Sequence, residues 1–148
     1  MGRMSREKGK RGEREVITIL QPVVTELYTT LGLPAPVLKR NTLQCDGGGS
    51  DVAFEEDGTR GLAWLALEVK FHANPAVNTW WKQTLAHCGQ QQTPVLIYRR
   101  NNVDWKVRMF VTVAAGPQAV TVAATVSLED FLRYFRARVT HELTKQGD

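Results

Sequence analysis

An otherwise apolar stretch, Leu65-Ala66-Leu67-Glu68-Val69-Lys70, ends by placing a carboxylate and an amine two residues apart. Side chains at i and i+2 of a strand share a face, so Glu68 and Lys70 point one way and Val69 the other. Burying either charge without a partner would cost several kcal/mol, so something must compensate them. Asp51 is the natural neighbour, because a hairpin over Asp51–Phe54, a Glu56-Asp57-Gly58 turn and the run Leu62–Leu67 would fold it back beside Glu68. Two converging carboxylates repel unless a cation lies between them, and oxygen ligands of this kind suit Mg²⁺. Such an ion polarises a phosphoryl oxygen and activates water, and the Lys70 ammonium beside it can hold the attacking water or offset growing negative charge. The spacing alone is unspecific, since Asp104-Trp105-Lys106 repeats it, but that copy has no apolar strand ahead of it and no acidic residue delivered opposite. For Glu68 and Lys70 the plain alternative is a salt bridge at the edge of a strand.

The elements that must position these residues follow from periodicity. Val16, Ile17, Leu20, Val23, Val24 and Leu27 recur at helical spacing, which predicts a helix from Gly12 to Leu31 in spite of Pro22, ended by Gly32 and Pro34. Glu13 falls inside the apolar stripe of that helix and Glu15 outside it. Glu13 is therefore expected to face the sheet and reach the same ion directly or through water, with Glu15 solvated. Val37–Thr42 reads as a short strand, and Asp46–Ser50 as a glycine loop leading to Asp51. A helix over Val77–Gly89 and an apolar strand Pro94–Tyr98 suggest a parallel return after the Glu68 strand. Trp105–Val113 and Ala119–Val126 read as strands, and Ser127 with Asp130 as a cap for a last helix carrying Phe131, Leu132, Phe135 and Val139. The fold class is a single-domain α/β, a mixed sheet flanked by helices.

With 148 residues, 43% of them hydrophobic, the chain can bury one core. Its net charge of +4 comes from residues 1–14, where Arg3, Arg6, Lys8, Lys10, Arg11 and Arg14 outnumber Glu7 and Glu13; the remaining 13 basic and 13 acidic residues cancel. Residues 1–11 are therefore expected as a flexible basic arm ahead of a domain over 12–148, the arm serving either a polyanion such as nucleic acid or solubility alone. Cys45 and Cys88 have no paired spacing, and with His87 they make no zinc motif. No leader and no long apolar run is evident, so a soluble cytoplasmic protein without a membrane partner is expected. The glycines at 47–49 lack a following Lys-Ser/Thr, which argues against a nucleotide cofactor.

Taken together, these motifs resemble the PD-(D/E)xK nuclease superfamily, and more narrowly the archaeal and phage Holliday-junction resolvases. The resemblance spans residues 8–110. Lys8-Gly9 through Glu13-Arg14-Glu15 is similar to their opening signature, Arg40 with the glycine loop and Ser50-Asp51-Val52 to the second motif, and Glu68-Val69-Lys70 to the third. Ser50 stands where the superfamily name has proline. The resemblance implies a restriction-endonuclease-like fold and a homodimer that cuts four-way DNA junctions with Mg²⁺ or Mn²⁺, in the host cytoplasm if the chain is phage-encoded. It implies that Glu13, Asp51, Glu68 and the Val69 carbonyl hold metal, that Lys70 is catalytic, and that Arg14 and Arg40 contact phosphate, with Arg6, Lys8, Lys10 and Arg11 of the arm beside them. Gln83 is similar to a glutamine of related nucleases. Two rivals keep part of this reading: a restriction-like or repair nuclease on duplex or flapped DNA, and a non-catalytic nucleic-acid binding module. Trp80 could stack on unpaired bases or pack in the core, with Trp81 favoured as core. The last helix could cover the sheet, join a dimer or line a DNA path.

Overall fold

The computed structural model describes residues 3–42 and 50–145; Cys45 and all of the expected glycine loop except Ser50 lie outside them. Helix α1 runs Arg3–Thr30, followed by strand β1 (Lys39–Arg40), strand β2 (Val52–Ala53), a 3₁₀ turn at Glu56–Gly58, the single-turn helix α2 (Thr59–Leu62) and strand β3 (Leu65–His72). Helix α3 (Val77–His87) leads to β4 (Thr93–Arg100), β5 (Lys106–Ala115), β6 (Gln118–Ser127) and helix α4 (Leu128–Thr144). The main sheet has the order β3-β4-β5-β6, with β3 and β4 parallel and the other neighbours antiparallel. This is the expected mixed α/β sheet with flanking helices, and α3 makes the expected parallel return.

Alternation along the strands divides the core in two. Leu65, Leu67, Val69 and Phe71 of β3 join Val95, Ile97, Val107 and Met109 beneath α1 and α4, whereas Leu96 lies on the opposite face with Trp80 and Trp81 of α3. Phe131, Phe135 and Val139 of α4 are fully buried, and Ser127 Oγ accepts the Asp130 N–H at 3.0 Å as the expected cap. Of the roles open to α4, its apolar stripe takes the covering one. At the end of α1, Gly32 has φ of 72°, and the Leu33 N–H reaches the Tyr28 carbonyl at 2.9 Å, the closure a left-handed glycine permits.

Two expectations are corrected. Helix α1 begins at Arg3 rather than Gly12, so residues 3–11 form a helical turn series rather than a flexible arm. Good helix formers fill this stretch, and Glu7–Lys10 and Arg11–Glu15 pair one turn apart at 3.6 and 3.4 Å. Nor is there a hairpin between Asp51 and Glu68. β2 pairs with β1, and the 3₁₀ turn and α2 occupy what was read as the turn and the start of a strand. Gly58 and Gly61 let those turns pack against Phe54 and Tyr28. No helix among the described residues is long and apolar enough to cross a membrane.

Candidate active site

β3 is an edge strand of the main sheet, and the segment entering β2 docks on its open side. The Asp51 N–H donates to the Leu67 carbonyl at 2.8 Å, and Ser50 Oγ accepts the Leu67 N–H at 3.0 Å. Asp51 Oδ2 in turn accepts the Val69 N–H at 2.6 Å. Asp51 and Glu68 thus converge as expected, through a two-residue docking rather than a hairpin. Serine does here what proline could not, since it offers a side-chain acceptor to an edge N–H. A strand residue turns its N–H and C=O to the same side, so the Val69 carbonyl also points to this open edge.

Glu13 arrives from α1. A Cβ added at Gly12 would lie 2.9 Å from the Phe71 Cβ, so the helix and β3 approach as closely as a glycine allows, and Glu13 follows one residue later. Arg6, Gly9, Lys10 and Glu13, three to four residues apart on one helix face, line a cleft of about 340 Å³ with Asp51, Glu68, Val69, Lys70, Phe71 and His72. All four expected catalytic residues therefore face one space. Asp51 and Glu68 are 6% and 7% exposed, an unusual depth for carboxylates.

The protein surrounds these acids with its own donors. Lys70 Nζ is 3.4 Å from Glu68 Oε1, His87 Nδ1 is 3.5 Å from Glu68 Oε2, and Arg40 Nε is 3.2 Å from Glu13 Oε1. The pair foreseen as a plain salt bridge is thus formed, but inside a cleft that also holds Asp51 and Glu13. Arg40, expected to meet phosphate, holds Glu13. Among the described residues no three His, Cys, Asp or Glu side chains stand close enough to hold a metal ion as placed. The donor chemistry nevertheless fits a hard divalent cation: three carboxylates and an edge carbonyl, oxygen throughout, open to one cleft.

Other expectations divide. Lys8 bonds the Asn101 side chain at 2.9 Å and, with Arg11, lies over Phe71. Arg14 lines separate grooves with Arg11 rather than the cleft. Glu15, expected to be solvated, is half-buried and pairs with Arg99 at 3.2 Å. Trp80 is buried against His72 and Tyr98, and Trp81 against Phe110, so both are core. Gln83 is exposed on α3 and does not line the cleft. The neighbour on α3 is His87, one turn further on, which sequence reasoning considered only as a zinc ligand. Its signal was positional, because a β3-α3-β4 crossover returns the end of α3 to the face that carries Glu68. His72 was also missed: burial, then Lys70 and Lys8, hold its imidazole below the ordinary value.

The model of the family described as "Phage putative PDDEXK endonuclease" matches residues 4–131, and the chain belongs to that family. No curated protein and no solved structure matches it significantly. The family is one of nucleases, which makes DNA the coarse substrate class and a divalent metal the usual cofactor.

Proposed function

We propose that this protein is a Mg²⁺-dependent DNA endonuclease, served also by Mn²⁺, that resolves four-way junctions as a homodimer in the cytoplasm of the host cell. The observation that carries the reading is the convergence of Glu13, Asp51, Glu68 and Lys70 in one cleft on the open edge of β3. Asp51, Glu68 and the Val69 carbonyl would hold the ion, with Glu13 joining directly or through water. A bound divalent ion supplies charge neutralisation at the phosphate and activation of water at neutral pH.

The chain's own residues supply the rest. Lys70, tethered to Glu68, presents further N–H donors to a water or a phosphate oxygen in the cleft. Arg40 fixes Glu13, and His87 fixes the second oxygen of Glu68. Arg6 and Lys10, at the same mouth, suit the phosphates flanking the cut. Lys8, Arg11 and Arg14 extend this basic surface along α1.

The junction and the two-fold enzyme belong together, because paired cuts in a two-fold substrate ask for paired clefts. The test is cleavage of a labelled four-way junction beside a linear duplex of matched sequence, with Mg²⁺ or with EDTA. Metal-dependent nicking confined to the junction is expected. Equal cutting of both substrates would transfer the reading to a restriction-like or repair nuclease, and junction binding without cutting to a binding module.

A further inference from the structure

The longest uncharged stretch of the chain is Met109–Leu128, twenty residues in a protein in which 23% are charged. It comprises most of β5 and all of β6, joined by Gly116 and Pro117. Among the described residues β6 pairs with β5 alone, so its other side is a sheet edge ten residues long. Edges of this length are ordinarily blunted by charge, proline or a bulge, because a bare edge pairs with any strand that reaches it. None of these devices occurs within β6.

The edge is also self-complementary. Ala115 and Gln118 flank a two-residue loop whose first residue, Gly116, has φ of 65°, and such flanking residues form a hydrogen-bonded pair. Alternation then turns the backbone groups of Gln118, Val120, Val122, Ala124 and Val126 toward β5. Those of Ala119, Thr121, Ala123 and Thr125 face outward, together with the N–H of Ser127, whose carbonyl opens α4. These outward groups centre on Ala123. An antiparallel second copy, related by a two-fold axis at that residue, sets Thr121 against Thr125, Ala119 against Ser127 and Ala123 against itself. Such pairing makes about eight backbone hydrogen bonds, within the range of a standard interface. On the core-side face the same register sets Val120 beside Val126 of the partner subunit and Val122 beside Ala124 of the partner subunit.

Apolar surface supports the same occupant. Val113, Val120 and Val122 are 50%, 45% and 43% exposed on the face where Val107 and Met109 are buried, so the core's valine row continues past the cover of α4. The partner's α4, starting directly after its Ser127, lies next to that row in the paired arrangement. A strand without charge meets its copy without repulsion, which a charged edge of a basic protein would not do.

We infer that β6 is the surface on which two copies of this chain join, by antiparallel β6–β6 pairing about Ala123 into one eight-stranded sheet. This names the surface for the dimer proposed above and does not depend on the chemistry of the cleft. The experiment is the solution mass of the full chain by sedimentation, for the wild type, Ala123→Pro and Thr121→Lys, with unfolding curves recorded alongside. Proline at an outward position of an edge strand is compatible with the monomer fold and blocks pairing. Twice the chain mass for the wild type and a loss to one chain mass for both folded variants are expected. Oxidation of Ala123→Cys should give a covalent dimer that Val37→Cys, exposed elsewhere, does not. A monomeric wild type would remove dimer and surface together, a dimer that survives both substitutions would remove the surface alone, and an unlinked Ala123→Cys dimer would overturn the register. Cleavage measured on the same samples reports on the nuclease reading separately.

Discussion

His72 shows how strongly the cleft polarises its lining. Its ring lies 5.1 Å from that of Trp80, and burial together with the nearby Lys70 and Lys8 favours the neutral imidazole. The unfolded chain therefore takes up a proton first as pH falls, so the contribution of this residue to stability is present above the ordinary imidazole value and lost below it. His72→Gln should flatten the decline in urea midpoint between about pH 7.5 and about pH 5.5, a window set by histidine titration; an unchanged slope would place the acid sensitivity elsewhere. At this scale the sequence was most informative. Glu68 and Lys70 could be placed on one face from their spacing, and Glu13 from the helical stripe. His87 and His72 could not, since their roles arise from the return of α3 beside β3, a tertiary event that leaves no local pattern. Glu15 was misplaced because its partner, Arg99, lies 84 positions away.

Among the elements, α1 matters most, because its approach to β3 determines whether Glu13 shares the cleft. Gly12 sits at the crossing, with no room for a side chain against Phe71. Gly12→Val should lift the helix, cost about 1–3 kcal/mol through overpacking and lower cleavage beyond what that loss of stability explains. Denaturant unfolding and turnover of the same sample check both parts; cleavage at the wild-type rate would show that Glu13 is dispensable. The strands β3 and β4 were legible from their apolar runs, and the capped α4 from Ser127 and Asp130. The hairpin was misread because Glu56-Asp57-Gly58 looks like a tight turn. Chain reversal is instead made by a 3₁₀ turn and α2, whose glycines pack against Phe54 and Tyr28, contacts that no periodicity encodes. The start of α1 was set too late because glycines and charge were read as an arm, whereas pairing between successive turns and packing at Gly12 carry the helix to Arg3.

For the whole molecule, the helical form of residues 3–11 converts a diffuse positive charge into a surface aligned with the cleft. Arg6 and Lys10 stand over the acids, and Arg3, Lys8, Arg11 and Arg14 line a second groove of about 500 Å³. Replacing Arg6 and Lys10 together by alanine should weaken DNA binding and reduce the salt dependence by about two in the log–log slope, measured by titration at several ionic strengths. An unaltered slope would show that the two residues do not contact phosphate. The sheet has two edges with different properties: β3 carries buried acids and the cleft, β6 carries no charge. Pairing at β6 would set the two β3 strands seven strand spacings apart, roughly 34 Å, with a cleft on the outer side of each. Fold class could be read from the sequence, but the alignment of the basic surface with the cleft depended on the helical start of α1.

Whether the cleft on β3 cuts DNA is decided by the cleavage rate of a labelled junction by the wild type and by Asp51→Asn at saturating enzyme with Mg²⁺. Asparagine preserves the size of the side chain and an oxygen for the Val69 N–H while removing the charge. DNA binding equal to the wild type with cleavage slower by about 100-fold or more is expected; cleavage by Asp51→Asn at the wild-type rate would show that DNA is not cut in this cleft.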